Sequence, residues 1–144
     1  MKRSAAMKTM VFLISVFLLE GFIVCASAAE TQKDLSKKVA IVWKAKVDGD
    51  WGKVYDMGSA AYKKTVKRGE FLAGSRPRIV DYSIKEIKIL EPKKKAQASV
   101  NYKFEFMGSK FDATAEDEWL MEKGRWVINL SPEASMKQAF PGSP

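Results

Sequence analysis

The sequence predicts an α+β fold in which two to three N-terminal helices pack on a curved four-stranded antiparallel sheet. Three observations predict it. Apolar residues recur at three- and four-residue spacing between Leu35 and Val47, and after Pro77 they alternate with polar ones. Two tight-turn signals, Gly108-Ser109 and Lys123-Gly124, then divide the alternating part into hairpins. Helices followed by an antiparallel meander is the plan in which helices cover one face of a sheet.

Ahead of the helices lie basic residues (Lys2, Arg3, Lys8), an apolar run from Met10 to Val24, and the small residues Ala26-Ser27-Ala28-Ala29. This is the layout of a secretory signal peptide, with Met1 or Met7 as the start. Glu20 and Gly21 interrupt the run, which is shorter than the roughly 20 apolar residues that span a bilayer. The expected organisation is therefore a signal peptide over 1–29, one domain over 30–131 and a polar, proline-punctuated tail over 132–144. Cys25, the one cysteine of the 144-residue chain, leaves with the peptide. The exported chain, periplasmic or secreted, then has no disulfide, thiolate nucleophile or cysteine-held metal. Histidine is absent as well, which removes histidine bases, Ser-His-Asp machinery and histidine metal sites. No metal or cofactor is expected, and chemistry is left to Asp, Glu, Lys, Arg or Tyr.

Leu35, Val39, Val42, Trp43 and Val47 mark the apolar side of the first helix, which Gly49 ends. Asp50 is placed to cap a second, shorter helix, with Trp51, Val54, Tyr55 and Met57 on its buried side. The stretch "SAAYKKTVKRGEFLAG" reads as partly helical, closed by a turn around Glu70-Phe71-Leu72, with Ser59, Thr65 and Ser75 as turn or cap residues. Ser75-Arg76-Pro77 stops it. In the first strand Tyr82 and Ile84 share one parity while Ile87 and Ile89 take the other, so a bulge is expected near Lys85-Glu86. The second strand alternates without a break, Ala96, Ala98, Val100, Tyr102, Phe104 and Phe106 on one face.

A turn at Gly108-Ser109 pairs Met107 with Lys110, which places Phe106 opposite Phe111, Phe104 opposite Ala113, and Val100 opposite Asp117. A turn at Lys123-Gly124 pairs Glu122 with Arg125, Met121 with Trp126, Trp119 with Ile128, and Asp117 with Leu130. Both registers turn Asp117 toward the apolar face. The tryptophans Trp43, Trp51, Trp119 and Trp126 are expected to face the core.

The helix ending in "WKAKVDGDWGKVYD", the later "FLAG", the strands "VDYSIKEIKIL" and "AQASVNYKFEF" and the closing "EDEWLMEKGRWVI" resemble the nuclear transport factor 2-like superfamily over roughly residues 31 to 130. The resemblance implies a cone-shaped fold with a pocket between sheet and helices. Relatives include isomerases, dehydratases, cyclases and members that only bind ligands or partners, among which fold does not choose. The histidine of the dehydratase and cyclase sites has no counterpart here.

An inward carboxylate in an apolar surround is disfavoured as the ion and could exchange a proton near neutrality. Asp117 is thus a candidate base, with Tyr102 or Tyr82 as the electrophilic partner; Tyr82, Tyr102, Asp117 and Trp119 form the candidate ligand site. The competing role for Asp117 is structural, since an inward carboxylate needs a partner whatever it does. Four alanines (Ala96, Ala98, Ala113, Ala115) leave volume for a ligand or for close helix packing. The expected function is non-enzymatic binding of a small, partly apolar molecule or an envelope protein. An isomerase- or lyase-like proton transfer and a dimeric interaction module (a homodimer) are the alternatives. The net charge of +8 allows weak attraction to an anionic envelope surface. Lys93-Lys94-Lys95 reads as a solvated hairpin tip, and no nucleic-acid partner is expected.

Overall fold

The computed structural model describes residues 29–131. The expected signal peptide up to residue 28 and the tail from 132 lie outside the described residues. Helix α1 spans Gln32–Asp48. It begins at a capping box, in which Thr31 accepts from the Asp34 amide and Asp34 accepts from the Thr31 amide, and it ends at Gly49 with φ 75°. Helix α2 (Trp51–Asp56) starts at Asp50, whose carboxylate accepts from the Lys53 amide, as its sequence foretells.

The expected fold class needs correction here. Not two to three but four helices precede the sheet among the described residues, because the stretch after Ser59 forms two six-residue helices, α3 (Ala60–Thr65) and α4 (Arg68–Ala73). Extended backbone at Val66 and Lys67 separates them, and the Glu70 side chain accepts from the Lys67 amide to start α4. Only α1 is long enough to lie across the sheet. The three short helices bring aromatic rings together at one end of the core, where the Phe71 ring lies 5.3 Å from Tyr55 and 6.2 Å from Tyr62. Ala96, Ala98 and Ala115 on the inner sheet face are fully buried, so small side chains let α1 settle against the strands.

The sheet has the order β1-β2-β3-β4 and is antiparallel throughout, with β1 Arg78–Leu90, β2 Lys95–Phe106, β3 Ser109–Glu122 and β4 Arg125–Ile128. The β1–β2 register shifts between Ile84 and Glu86, where the parity change of the sequence falls, and again between Ile79 and Asp81. The β2–β3 turn is not Gly108-Ser109. Met107 (φ 50°) and Gly108 (φ 75°) both take left-handed backbone, the turn that matches the twist of the strands, and Phe106 pairs with Ser109. Each β2–β3 pair is therefore two residues from the expected one: Phe104 meets Phe111 and Ala98 meets Asp117. A slip of two preserves parity, so every inward side chain stays inward. The Lys123-Gly124 turn forms as expected and pairs Trp119 with Ile128. The strand ends at Ile128, leaving Leu130 beyond it.

Strand β4 covers β3 only from Trp119 to Glu122, extended by the Asn129 amide donating to the Glu118 carbonyl. The outer edge of β4 is itself covered. The Glu30 amide donates to the Gly124 carbonyl, and the Glu30 carboxylate accepts from the Trp126 amide at 2.8 Å and pairs with Lys38 at 2.9 Å. Further along, Met57 and Ser59 bond to Ile128. Glu30 thus ties the chain ahead of α1 to the last hairpin. Glu30→Ala is expected to lower stability by about 1–2 kcal/mol in urea denaturation, through the freed Trp126 amide; an unchanged midpoint would show that this tie contributes nothing.

Candidate functional site

The face of α1 that meets the sheet carries Val39, Val42, Trp43 and Lys46, a stripe at i, i+3, i+4 and i+7 in which the last member is a cation. Asp117 stands beneath it on β3, 3% exposed. The Trp43 indole Nε1 donates to Asp117 Oδ2 at 2.7 Å, and Lys46 Nζ lies 3.6 Å from Asp117 Oδ1. Lys46 is 11% exposed and its ammonium sits 3.9 Å from the centre of the Trp43 ring, so one cation serves both carboxylate and indole. The carboxylate's partners are on the protein.

Both candidate tyrosines flank this group. Tyr82 stacks on Trp43 at 6.1 Å and its hydroxyl donates to the Ala40 carbonyl of α1 at 3.2 Å. Tyr102 lies 5.1 Å from Trp43, and burial first, with the negative charge of Asp117 second, pushes its hydroxyl above the ordinary 10.0. Trp119 is fully buried in the core, and its Nε1, like that of Trp126, has no acceptor among the described residues. Trp51 is only partly buried, at the short-helix end. The sequence therefore brings Asp117, Tyr82 and Tyr102 together around Trp43, and leaves Trp119 outside the group.

Three features went unread. Lys46 was signalled by its place inside an apolar stripe. Arg76 packs its guanidinium 4.1 Å from Phe71 and 4.7 Å from Trp51 while donating to the Phe71 and Gly74 carbonyls; burial lowers its pKa. Glu122 is opposite Arg125 as expected, but its carboxylate accepts from the Ala60 amide at the start of α3. On the opposite face of the sheet, Lys85, Glu86, Lys88, Gln97, Ser99 and Glu116 line an open polar groove of about 270 Å³. Within it Lys88 pairs with Glu86 at 3.0 Å and the Ser99 hydroxyl donates to Glu116 at 2.6 Å. Among the described residues no group of three acidic side chains could hold a metal ion.

At the hairpin end the inward face outruns α1. Phe106 is 57% exposed, Met107 90% and Phe111 46%, with Phe104 stacked on Phe111 at 5.5 Å. Lone exposed apolar residues are ordinary, whereas these three stand together at one end of the sheet.

No family model matches the chain, and no curated protein matches it. The solution structure of a SEC-C motif containing protein from Rhodopseudomonas palustris is similar in fold, with a TM-score of 0.50 and 9% identity over 60% of this chain and 68% of that one. At that identity the likeness is one of fold alone.

Asp117→Asn would leave the Lys46 ammonium buried beside a neutral amide, at a cost of about 3 kcal/mol. Adding Lys46→Met is expected to recover most of that loss in thermal denaturation; no recovery would mean that the pair is not coupled. Tyr102 supplies a pH signature. Its folded-state pKa is raised, so the folded chain holds the proton more tightly, and the stabilisation is complete below pH 10.0 and lost as pH rises through the folded value. Spectrophotometric titration is expected to show Tyr102 ionising late, and earlier in Asp117→Asn; unchanged ionisation in that variant would separate the two groups.

Proposed function

We propose that the chain is an exported, non-catalytic interaction module that works through the hairpin end of its sheet, where the inner face extends past α1. The observation that carries this is the exposed strip of Phe106, Met107 and Phe111 beyond the reach of α1, beside an interior in which Trp43 and Lys46 hold the Asp117 carboxylate. The proton-transfer alternative finds no support in the geometry, because the Trp43 indole and the Lys46 ammonium occupy the carboxylate that would act as base. A small-molecule site between helix and sheet is equally disfavoured by the fully buried alanines under α1. The partner in this account is a protein that presents apolar side chains and an extended segment, since an aromatic strip next to an open strand edge suits strand addition.

A photo-crosslinking residue at Phe106 in the exported protein tests this in cells. One discrete protein adduct is expected from position 106, and none from Lys64 on α3, which is exposed and remote from the strip. Equal labelling from both positions, or none from 106, would contradict the assignment of the working surface.

A further inference from the structure

We propose that the partner of the β3 edge is a second copy of this chain, with the two β3 strands paired antiparallel about a two-fold axis at Ala113. The proposal rests on the interaction-module reading and names its partner. Three features of the sheet lead to it.

The first is which backbone groups are available. Phe106 and Ser109 close the β2–β3 hairpin, so odd-numbered β3 residues bond to β2 and even-numbered ones direct their N–H and C=O outward. The Asn129 amide bonding to Glu118, and β4 opposite Leu120 and Glu122, follow the same parity. Lys110, Asp112, Thr114 and Glu116 therefore aim ladder groups at an edge to which no described residue donates or accepts a backbone bond. Its ends are set by the Met107-Gly108 turn on one side and Asn129 on the other.

The second is regularity. The other outer strand, β1, has two register shifts that bend its edge, a device that blocks strand addition. β2 and β3 run from Phe106–Ser109 to Lys95–Leu120 without a shift.

The third is charge. Opposed residues of a two-fold pair share a face, so the axis must fall on a residue. Centred on Asp112, two carboxylates meet; centred on Thr114, Asp112 meets Glu116. Centred on Ala113, Lys110 meets Glu116 of the second copy at both ends of the ladder and Asp112 meets Thr114. Of these three registers only the last is free of like-charge opposition, and a two-fold at Phe111, which would set Lys110 against Asp112, pairs only residues 109–113 before the Met107-Gly108 turn ends the ladder. It also sets Phe111 against Ala115 of the second copy, which covers part of the strip that α1 leaves exposed.

Ala113 then faces its own copy as a non-hydrogen-bonded pair, with Cα atoms about 4.5 Å apart, inside the range that a disulfide bridges. Sedimentation equilibrium of the exported protein is expected to give the mass of two copies. In a Cys25→Ser background, which leaves an introduced cysteine as the only one, Ala113→Cys is expected to form a disulfide dimer under mild oxidation. Thr114→Cys, facing Asp112, is not. Glu116→Lys is expected to weaken the dimer about tenfold by opposing lysines at both ends, and adding Lys110→Glu to restore it. Ser99→Ala controls for the lost bond to Glu116. A monomer at every concentration, or a dimer whose Ala113→Cys form does not cross-link, overturns the proposal. So does a crosslinker at Thr114 that joins residues 132–144 of the same chain, since the tail would then hold the edge. An adduct at Phe106 to another protein, in a chain that stays monomeric, would sink the self-pairing and leave the interaction module standing. A cross-linked dimer that gives no Phe106 adduct would do the reverse.

Discussion

The bond from the Trp43 indole to the Asp117 carboxylate, with Lys46 closing the charge, is the constraint on which the arrangement of helix and sheet depends. Apolar packing alone is tolerant: Leu35, Val39 and Val42 would bury against the alanine floor at several rotations of α1. A carboxylate in that floor is not tolerant, because leaving it unbonded costs several kcal/mol. One rotation and one height of α1 bring both the indole N–H and the ammonium to it. The pair adds little net stability over an apolar substitute, and its effect is to select one packing among many. That role as a specificity device is supported by Tyr82, which bonds to the Ala40 carbonyl of the same helix, and by Tyr102, which closes the other side of the Trp43 ring.

Once α1 is held there, the remaining surface follows. The half of the sheet bearing Val100, Ala115 and Trp119 is buried, while Phe106 and Phe111 at the hairpin end stay exposed. The same β3 that anchors α1 through Asp117 continues past the helix as an edge strand with alternating Lys110, Asp112 and Glu116 on its far face. Interior and exterior are thus two ends of one strand: the end near β4 is closed by polar contacts with α1, and the end near the hairpin has no strand beside it among the described residues.

Much of this was legible in the sequence where the physics is local. Capping at Asp50, the left-handed stop at Gly49, the parity break at Lys85-Glu86 and the Lys123-Gly124 turn each need only neighbouring residues. The inward direction of Asp117 survived an error of two residues in the hairpin register because strand parity repeats every two. What the sequence did not show is non-local. That Met107 rather than Ser109 enters the turn depends on which backbone takes positive φ, and glycine at Gly108 permits either choice. The split of α3 from α4 depends on packing of Tyr62 and Phe71 against Tyr55. The pairing of Lys46 with Asp117 joins residues far apart in the chain, and its trace, a lysine in an apolar stripe and an aspartate in an apolar strand face, is visible only when the two are read together. The same separation explains why a cone with a pocket was expected: small residues on a sheet face fit a cavity and a closely docked helix equally well.

The central claim is that Trp43 and Asp117 form a bond inside a closed interior. Hydrogen exchange at the four tryptophan indoles, followed by nuclear magnetic resonance, reads it most directly. The account predicts that the Trp43 indole proton exchanges only on global unfolding, far more slowly than that of the partly buried Trp51. A Trp43 proton that exchanges as fast as that of Trp51, or that shifts when small apolar molecules are added, would contradict it and return the site to the inside of the fold.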